Sequence, residues 1–161
     1  MAGIPEALEL VRSALLAALD QRAPQGLGDD ELLLVTAALE AVGRVVDAHR
    51  AGVAGEIDER SRIELGSERL SARKGCRSAA ELVERVTQVS GSEARRRISV
   101  GAAIRPRVSF TGQPQDPVYR HLAAGVAAGE VGLDAAATIV RELGRARTVA
   151  DPVAADAAEH A

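Results

Sequence analysis

The most regular feature of the sequence is a run of positions that alternate in steps of three and four and are almost all apolar. Its members are Leu32, Val35, Leu39, Val42, Val46, His49 and Val53. This spacing places all seven on one face of an α-helix, as at the a and d positions of a coiled coil. Asp29, Asp30 and Glu31 favour a helix start because they complement the helix dipole. The sequence therefore predicts a long helix from Asp29 to about Glu64 or Leu65.

This seam of seven residues has two alternative partners. It packs against a first helix, which is predicted between Pro5 and Arg22, or against a second copy of the chain in a homodimer. Gly43, Gly52 and Gly55 weaken the long helix, but they also let a neighbouring helix approach closely. Both alternatives stay open from the sequence.

The scarcity of aromatic residues limits the fold class. Aromatics make up 1% of the chain, whereas hydrophobic residues make up 47%. Alanine, valine and leucine must therefore fill the core, and small side chains let helices pack closely on one another. A β-sandwich or barrel would need more aromatic and β-branched residues. We expect an all-α fold, a helical bundle.

Breaker residues and capping patterns divide the chain into four segments. We expect a helical hairpin with the long helix over 1–65, a basic loop over 66–77, a helix-turn-helix-like domain with a second helical pair over 78–145, and a truncated C-terminal helix over 146–161. The last helix is predicted to start at Asp151 and Pro152 and has no closing turn. This ending indicates a longer parent protein.

Basic residues are concentrated in one part of the chain. Residues 69–107 hold ten basic and three acidic residues, a net charge of +7, so the rest of the chain carries −10. A basic segment inside an acidic protein is typical of a surface that binds a polyanion. A solvated helical face is the alternative interpretation.

The basic segment contains two short predicted helices joined by a tight turn, which indicates a helix-turn-helix. Ser78 and Glu81 form a capping box for the first helix, and Ser90 or Ser92 caps the second. Val89 lies between the helices as an apolar plug. The first turns of such a second helix are the part that meets DNA.

The second helix, predicted to end at Ile104, has two distinct faces. Ala94, Ile98, Gly101 and Ile104 form the inward face, whereas Arg95, Arg96 and Ser99 project the other way and Arg97 flanks them. With the preceding loop included, the candidate DNA-binding residues are Arg73, Lys74, Arg77, Ser92, Arg95, Arg96, Arg97 and Ser99. Two positions depart from the usual motif, since Glu84 replaces a small residue and Gln88 replaces a glycine. A helical pair with a purely structural role is therefore the alternative interpretation.

The sequence predicts no catalytic, metal or cofactor site. Cys76 is the single cysteine, and His49, His121 and His160 have no ligand partners at metal-site spacing. The apolar run from Leu8 to Leu19 is too short and too interrupted by charges to span a membrane. We expect a cytoplasmic protein without enzymatic activity of its own.

The order and spacing of these elements resemble the 13E12 repeat family, the actinobacterial domain-of-unknown-function family 222. The resemblance covers about residues 30–145 and is carried by Ser90, Ala94, Arg95, Arg96, Gly101, Leu122, Ala123, Gly129, Ala135 and Ala136. Members of that family carry this helical region ahead of an HNH nuclease domain. The resemblance therefore implies a parent protein that acts on DNA, with its catalytic part beyond Ala161.

The helix pair is also similar, at the level of fold alone, to the DNA-binding region of ParB-type partition proteins. Together these features predict a DNA-binding or DNA-targeting module of an HNH-endonuclease-like protein. A non-enzymatic scaffold for protein interaction or dimerisation is the alternative.

Overall fold

A computed structural model describes residues 3–109 and 111–149 of the chain. Seven α-helices lie in these residues: α1 (Ile4–Leu19), α2 (Asp29–Glu59), α3 (Leu70–Arg73), α4 (Ala79–Thr87), α5 (Gly91–Ile104), α6 (Arg120–Ala127) and α7 (Leu133–Val149). Two short 3₁₀ helices and one antiparallel ribbon of two-residue strands complete them. The predicted all-α class is confirmed.

The chain divides into two compact units, one from Met1 to Glu40 and one from Ala41 onward. In the N-terminal unit, α1 begins with Pro5 in its first turn, where a missing backbone donor costs nothing. A 3₁₀ turn over Pro24–Gly26 leads to the start of α2. Among the described residues of this unit, no side chain is buried.

The C-terminal unit has a core in which small side chains dominate. Its main cluster consists of Ala51, Val100, Ala103, Tyr119, Leu122, Val126, Leu133, Ala136 and Leu143, from α2, α5, α6 and α7. A second cluster around Ala54, Val83 and Ala94 joins α2, α4 and α5. Helices α6 and α7 thus supply much of the core under α5.

Two glycines let α2 and α5 cross almost in backbone contact. A Cβ atom on Gly101 would lie 2.0 Å from the carbonyl oxygen of Ala51, and one on Gly55 would lie 2.6 Å from the Gly101 carbonyl carbon. Neither distance is compatible with a side chain. The prediction that Gly55 permits close approach is confirmed, whereas Gly43 and Gly52 have no neighbour within 4 Å of such an atom.

Several element boundaries differ from the sequence prediction. The stretch predicted as a loop over 66–77 contains the end of a 3₁₀ helix (Ile63–Glu68) and all of α3. The chain folds back there because the Leu70 amide donates to the Arg60 carbonyl and the Ser71 amide donates to Ser61 Oγ. Helix α2 accordingly ends at Glu59, before the predicted Leu65.

Two further differences lie near the C-terminus. The predicted helical domain over 78–145 also holds a small ribbon, in which Arg107 pairs with Gln115 and Val108 with Pro114. Helix α7 continues past the predicted segment boundary at 145 to Val149, because the lone Gly144 weakens a helix without ending it. The helix predicted from Asp151 lies outside the described residues. Across the ranges that the structure describes, no helix is long and apolar enough to cross a membrane.

Candidate nucleic-acid interface

Helices α4 and α5 form the helix pair that the sequence predicts. Ser78 Oγ accepts a hydrogen bond from the Glu81 amide at 3.2 Å, and Ser90 Oγ accepts one from the Glu93 amide at 3.2 Å. Each hydroxyl thereby satisfies one free amide in a first helical turn. Ser90, rather than Ser92, is the cap of α5.

The turn between the two helices is tight and uses an unusual residue. Gln88 has φ = 56°, in the left-handed region that glycine normally occupies in such turns. Val89 packs against the cluster of Ala54, Val83 and Ala94, which confirms its prediction as an apolar plug. The pair is therefore fixed to the C-terminal unit by its turn as well as by its helices.

The inward face of α5 is close to the prediction. Ala94 and Gly101 are buried, and Ile98 and Ile104 are partly buried. Val100 and Ala103 are also buried, because α5 is enclosed by α2 on one side and by α6 and α7 on another. What remains exposed on α5 is the side that carries Ser92, Arg95 and Ser99.

A groove of about 690 Å³ lies along this exposed side, between α5 and α7. It is lined by Ser92, Arg95, Arg96, Ser99, Ala137, Val140, Arg141, Gly144 and Arg145. Four arginines and two hydroxyls thus surround two apolar side chains, and the lining contains no carboxylate. Guanidinium and hydroxyl groups are the donors that proteins use to bind phosphate oxygens.

Two of the four groove arginines lie on α5 and differ in their partners. Arg95 is exposed, and no carboxylate in the described part of the chain forms an ion pair with it. Arg96 is half-buried and pairs with both Glu93 and Asp134. Its Nε is buried with no hydrogen-bond partner in the described ranges. Arg95 is therefore the α5 cation most available to an anion.

Glu93 forms ion pairs with Arg96 and Arg97 in the first turns of α5. Burial opposes its ionisation, but hydrogen bonds from Arg97 and Arg96 outweigh that effect and lower the pKa of Glu93 below its ordinary value. Arg97 Nε lies 2.7 Å from Glu93 Oε1, and the Arg97 side chain is only 11% exposed. Arg97 thus lies outside the groove and has a structural partner.

The other two groove arginines lie one turn apart on α7. Arg141 and Arg145 both pair with Glu142, at 3.1 and 3.0 Å, and these hydrogen bonds lower the pKa of the Glu142 carboxyl. All three side chains are more than half exposed. Such surface pairs are worth little in water, so a phosphate can replace the shared carboxylate as the partner of either arginine.

The remaining candidates lie away from the groove. Arg73 and Lys74 are exposed at the end of α3, and the Lys74 carbonyl accepts a hydrogen bond from Arg85. Arg77 is exposed and pairs with Glu81 at 3.2 Å. The structure therefore brings Ser92, Arg95, Arg96 and Ser99 together, but not Arg73, Lys74, Arg77 or Arg97.

Sequence reasoning missed Arg141 and Arg145. Both lie beyond the segment of net charge +7, in the second helical pair, where no DNA-binding residue was predicted. Their spacing of four residues, with Gly144 between them, puts two cations on one face of a helix beside a position without a side chain. That pattern was the signal in the sequence that could have identified them.

No group of three or more histidine, cysteine or acidic side chains in the described ranges could hold a metal ion. Cys76 is buried and has no disulfide partner. No known protein family, curated protein or solved structure matches the chain.

Proposed function

We propose that this chain is a DNA-binding helical module that belongs to an HNH-endonuclease-like protein. The observation that carries the proposal is the groove between α5 and α7, where four arginines and two serines converge. No carboxylate is among the lining residues, and Glu93, Asp134 and Glu142 pair with three of the arginines from outside the lining. The resemblance to the 13E12 repeat family supports the nuclease context. The proposal assigns the chain a role in binding and no catalytic step.

In this proposal the DNA backbone follows the groove, and Arg95, Arg141 and Arg145 contact its phosphates. Ser92 adds a hydroxyl donor in the first turn of α5, and Ser99 adds one two turns further along. Arg96 and Arg97 support the site through Glu93, because their ion pairs fix the first turns of α5. Contacts to phosphate give affinity without sequence preference.

The test is fluorescence anisotropy of a labelled DNA duplex titrated with the full chain at several salt concentrations. We expect binding that weakens steeply as salt rises, since each phosphate contact releases a counterion. Arg95→Ala and Arg145→Ala should each weaken binding about tenfold and reduce the slope of log affinity against log salt by about one.

Two variants serve as controls. Arg12→Ala removes an exposed arginine that pairs with Glu9 in the N-terminal unit, and it should leave DNA affinity unchanged. Glu142→Gln frees Arg141 and Arg145 from their shared carboxylate, and it should strengthen binding. Absence of binding to duplex DNA at low salt, or equal losses in Arg12→Ala and Arg95→Ala, would refute the proposal.

A further inference from the structure

The N-terminal unit exposes far more apolar surface than a unit of its size normally leaves in water. Ten of its large apolar side chains are between 41% and 79% exposed. They are Ile4, Leu8, Leu10, Val11, Leu16, Leu19, Leu32, Leu33, Leu34 and Leu39. Leu15, Leu27 and Val35 are the best covered, and even these are only partly buried.

The apolar surface of the unit is larger than one partner needs in a stable protein interface. The ten side chains together present on the order of 1,000 Å², spread over more than one side of the two helices because Leu32, Leu33 and Leu34 are consecutive, and a standard interface takes roughly 800 Å² per partner. The largest apolar patch on a typical monomer is roughly 300–600 Å². In addition, a helix of 16 residues such as α1 is only marginally stable in water unless its apolar face is packed.

We propose that this surface is covered by the same surface of a second copy of the chain, so that the N-terminal units of two chains form one helical bundle. Both helices of the unit carry apolar residues at steps of three and four, with Leu8, Val11, Leu15 and Leu19 on α1 and Leu32, Val35 and Leu39 on α2. This spacing suits knobs-into-holes packing against an identical helix. A two-fold pair of identical faces is also the commonest form of oligomer.

Charge gives this interface a property opposite to that of the DNA groove. Residues 3–40 contain seven acidic and two basic side chains, a net charge of −5. Two such units repel each other at long range, so salt screens the repulsion and favours association. Dimerisation should therefore strengthen with salt, whereas DNA binding should weaken. Because the two effects have opposite signs, the failure of one proposal can be distinguished from the failure of the other.

The experiment is light scattering of the full chain over a wide range of concentrations at low and high salt. We expect a mass twice the 16.7 kDa of one chain, with a dissociation constant that falls as salt rises. Val11→Glu and Leu8→Glu each place a carboxylate in the proposed interface. Each should weaken association by at least about a hundredfold, because burial of a charge without a partner is costly.

A matched control uses the same chemical change elsewhere. Val86 is 69% exposed on α4, close to the 62% of Val11, and Val86→Glu should leave the dimer intact. Folding is followed separately through Tyr119, the only tyrosine of the chain, which is buried in the C-terminal unit. Its near-ultraviolet circular dichroism should be the same in all three variants.

Two results would overturn the proposal. One is a mass of 16.7 kDa at every concentration and salt, which would mean that a different partner covers the surface. The other is a dimer that Val11→Glu and Leu8→Glu leave as tight as Val86→Glu does.

Discussion

The two units of this protein use similar residues with opposite results. Both consist of helices rich in alanine, valine and leucine, yet the C-terminal unit buries Ala51, Ala94, Val100 and Ala136 completely, whereas no described residue of the N-terminal unit is buried. The difference does not lie in helical periodicity, which is most regular in α2. It lies in whether other helices of the same unit cover the apolar face. Periodicity thus predicts a helix more securely than it predicts burial.

The largest expected effect comes from truncation of one leucine in each unit. Leu122→Ala removes a side chain that is only 5% exposed in the main core, and we expect it to lower the free energy of unfolding by about 3 kcal/mol. At protein concentrations low enough to keep the chain monomeric, Leu33→Ala removes a side chain that is 68% exposed, and it should change stability by less than about 0.5 kcal/mol. Chemical denaturation followed by far-ultraviolet circular dichroism, which reports the helices of both units, measures both changes. Equal losses would show that the N-terminal unit is covered in solution.

A second comparison concerns the glycines of the helix crossing. Gly101→Ala places a Cβ on top of the Ala51 carbonyl, and we expect it to lower the free energy of unfolding by about 2 to 3 kcal/mol. Gly43→Ala, in the open part of α2, should raise it by roughly 0.5–1 kcal/mol, since alanine is the better helix former. Thermal unfolding of both variants shows directly whether each substitution raises or lowers stability. A neutral Gly101→Ala would mean that α2 and α5 separate in solution.

The smallest effect contrasts a shielded ion pair with an exposed one. The pKa of Glu93 lies below its ordinary value of 4.5, so the ionised form stabilises the fold. This stabilisation is present above about pH 4.5 and is lost as the pH falls through the lowered value. Glu93→Gln should therefore cost about 1.5 kcal/mol at neutral pH and progressively less in acid.

Glu9→Gln is the matched control for that experiment. The pKa of Glu9 is also lowered, by its hydrogen bond from Arg12, but the pair is fully open to water in the N-terminal unit. Its loss should not shift the denaturation midpoint at any pH. If the stability of Glu93→Gln relative to the unmodified chain is equally insensitive to pH, the first turns of α5 are not stabilised by this carboxylate.

Local signals in the sequence were enough to predict most of the helices. The Ser78–Glu81 pattern and Ser90 mark the starts of α4 and α5, and Arg105 with Pro106 marks the end of α5, because caps and prolines act within one turn of the chain. Helix α3 was missed because its four residues are fixed by bonds to Arg60 and Ser61, ten positions away. No local pattern carries that information.

The candidate site was predicted on α5 but not on α7. Ser92, Arg95, Arg96 and Ser99 share a face that helical spacing alone defines. Arg141 and Arg145 join them only because α7 packs beside α5, which is a tertiary fact. Arg97 illustrates the converse: its neighbours in sequence suggest an exposed cation, but Glu93 holds it against the helix surface.

The uncovered N-terminal unit also has a calorimetric consequence. The heat capacity of unfolding follows the apolar area that unfolding exposes, at about 12–15 cal/mol/K per residue for ordinary globular proteins. The described residues of this unit bury no side chain completely, so they expose less new apolar surface on unfolding than a packed unit of the same size. An isolated chain should therefore have a smaller heat-capacity increment than its length implies, and its stability should vary less steeply with temperature.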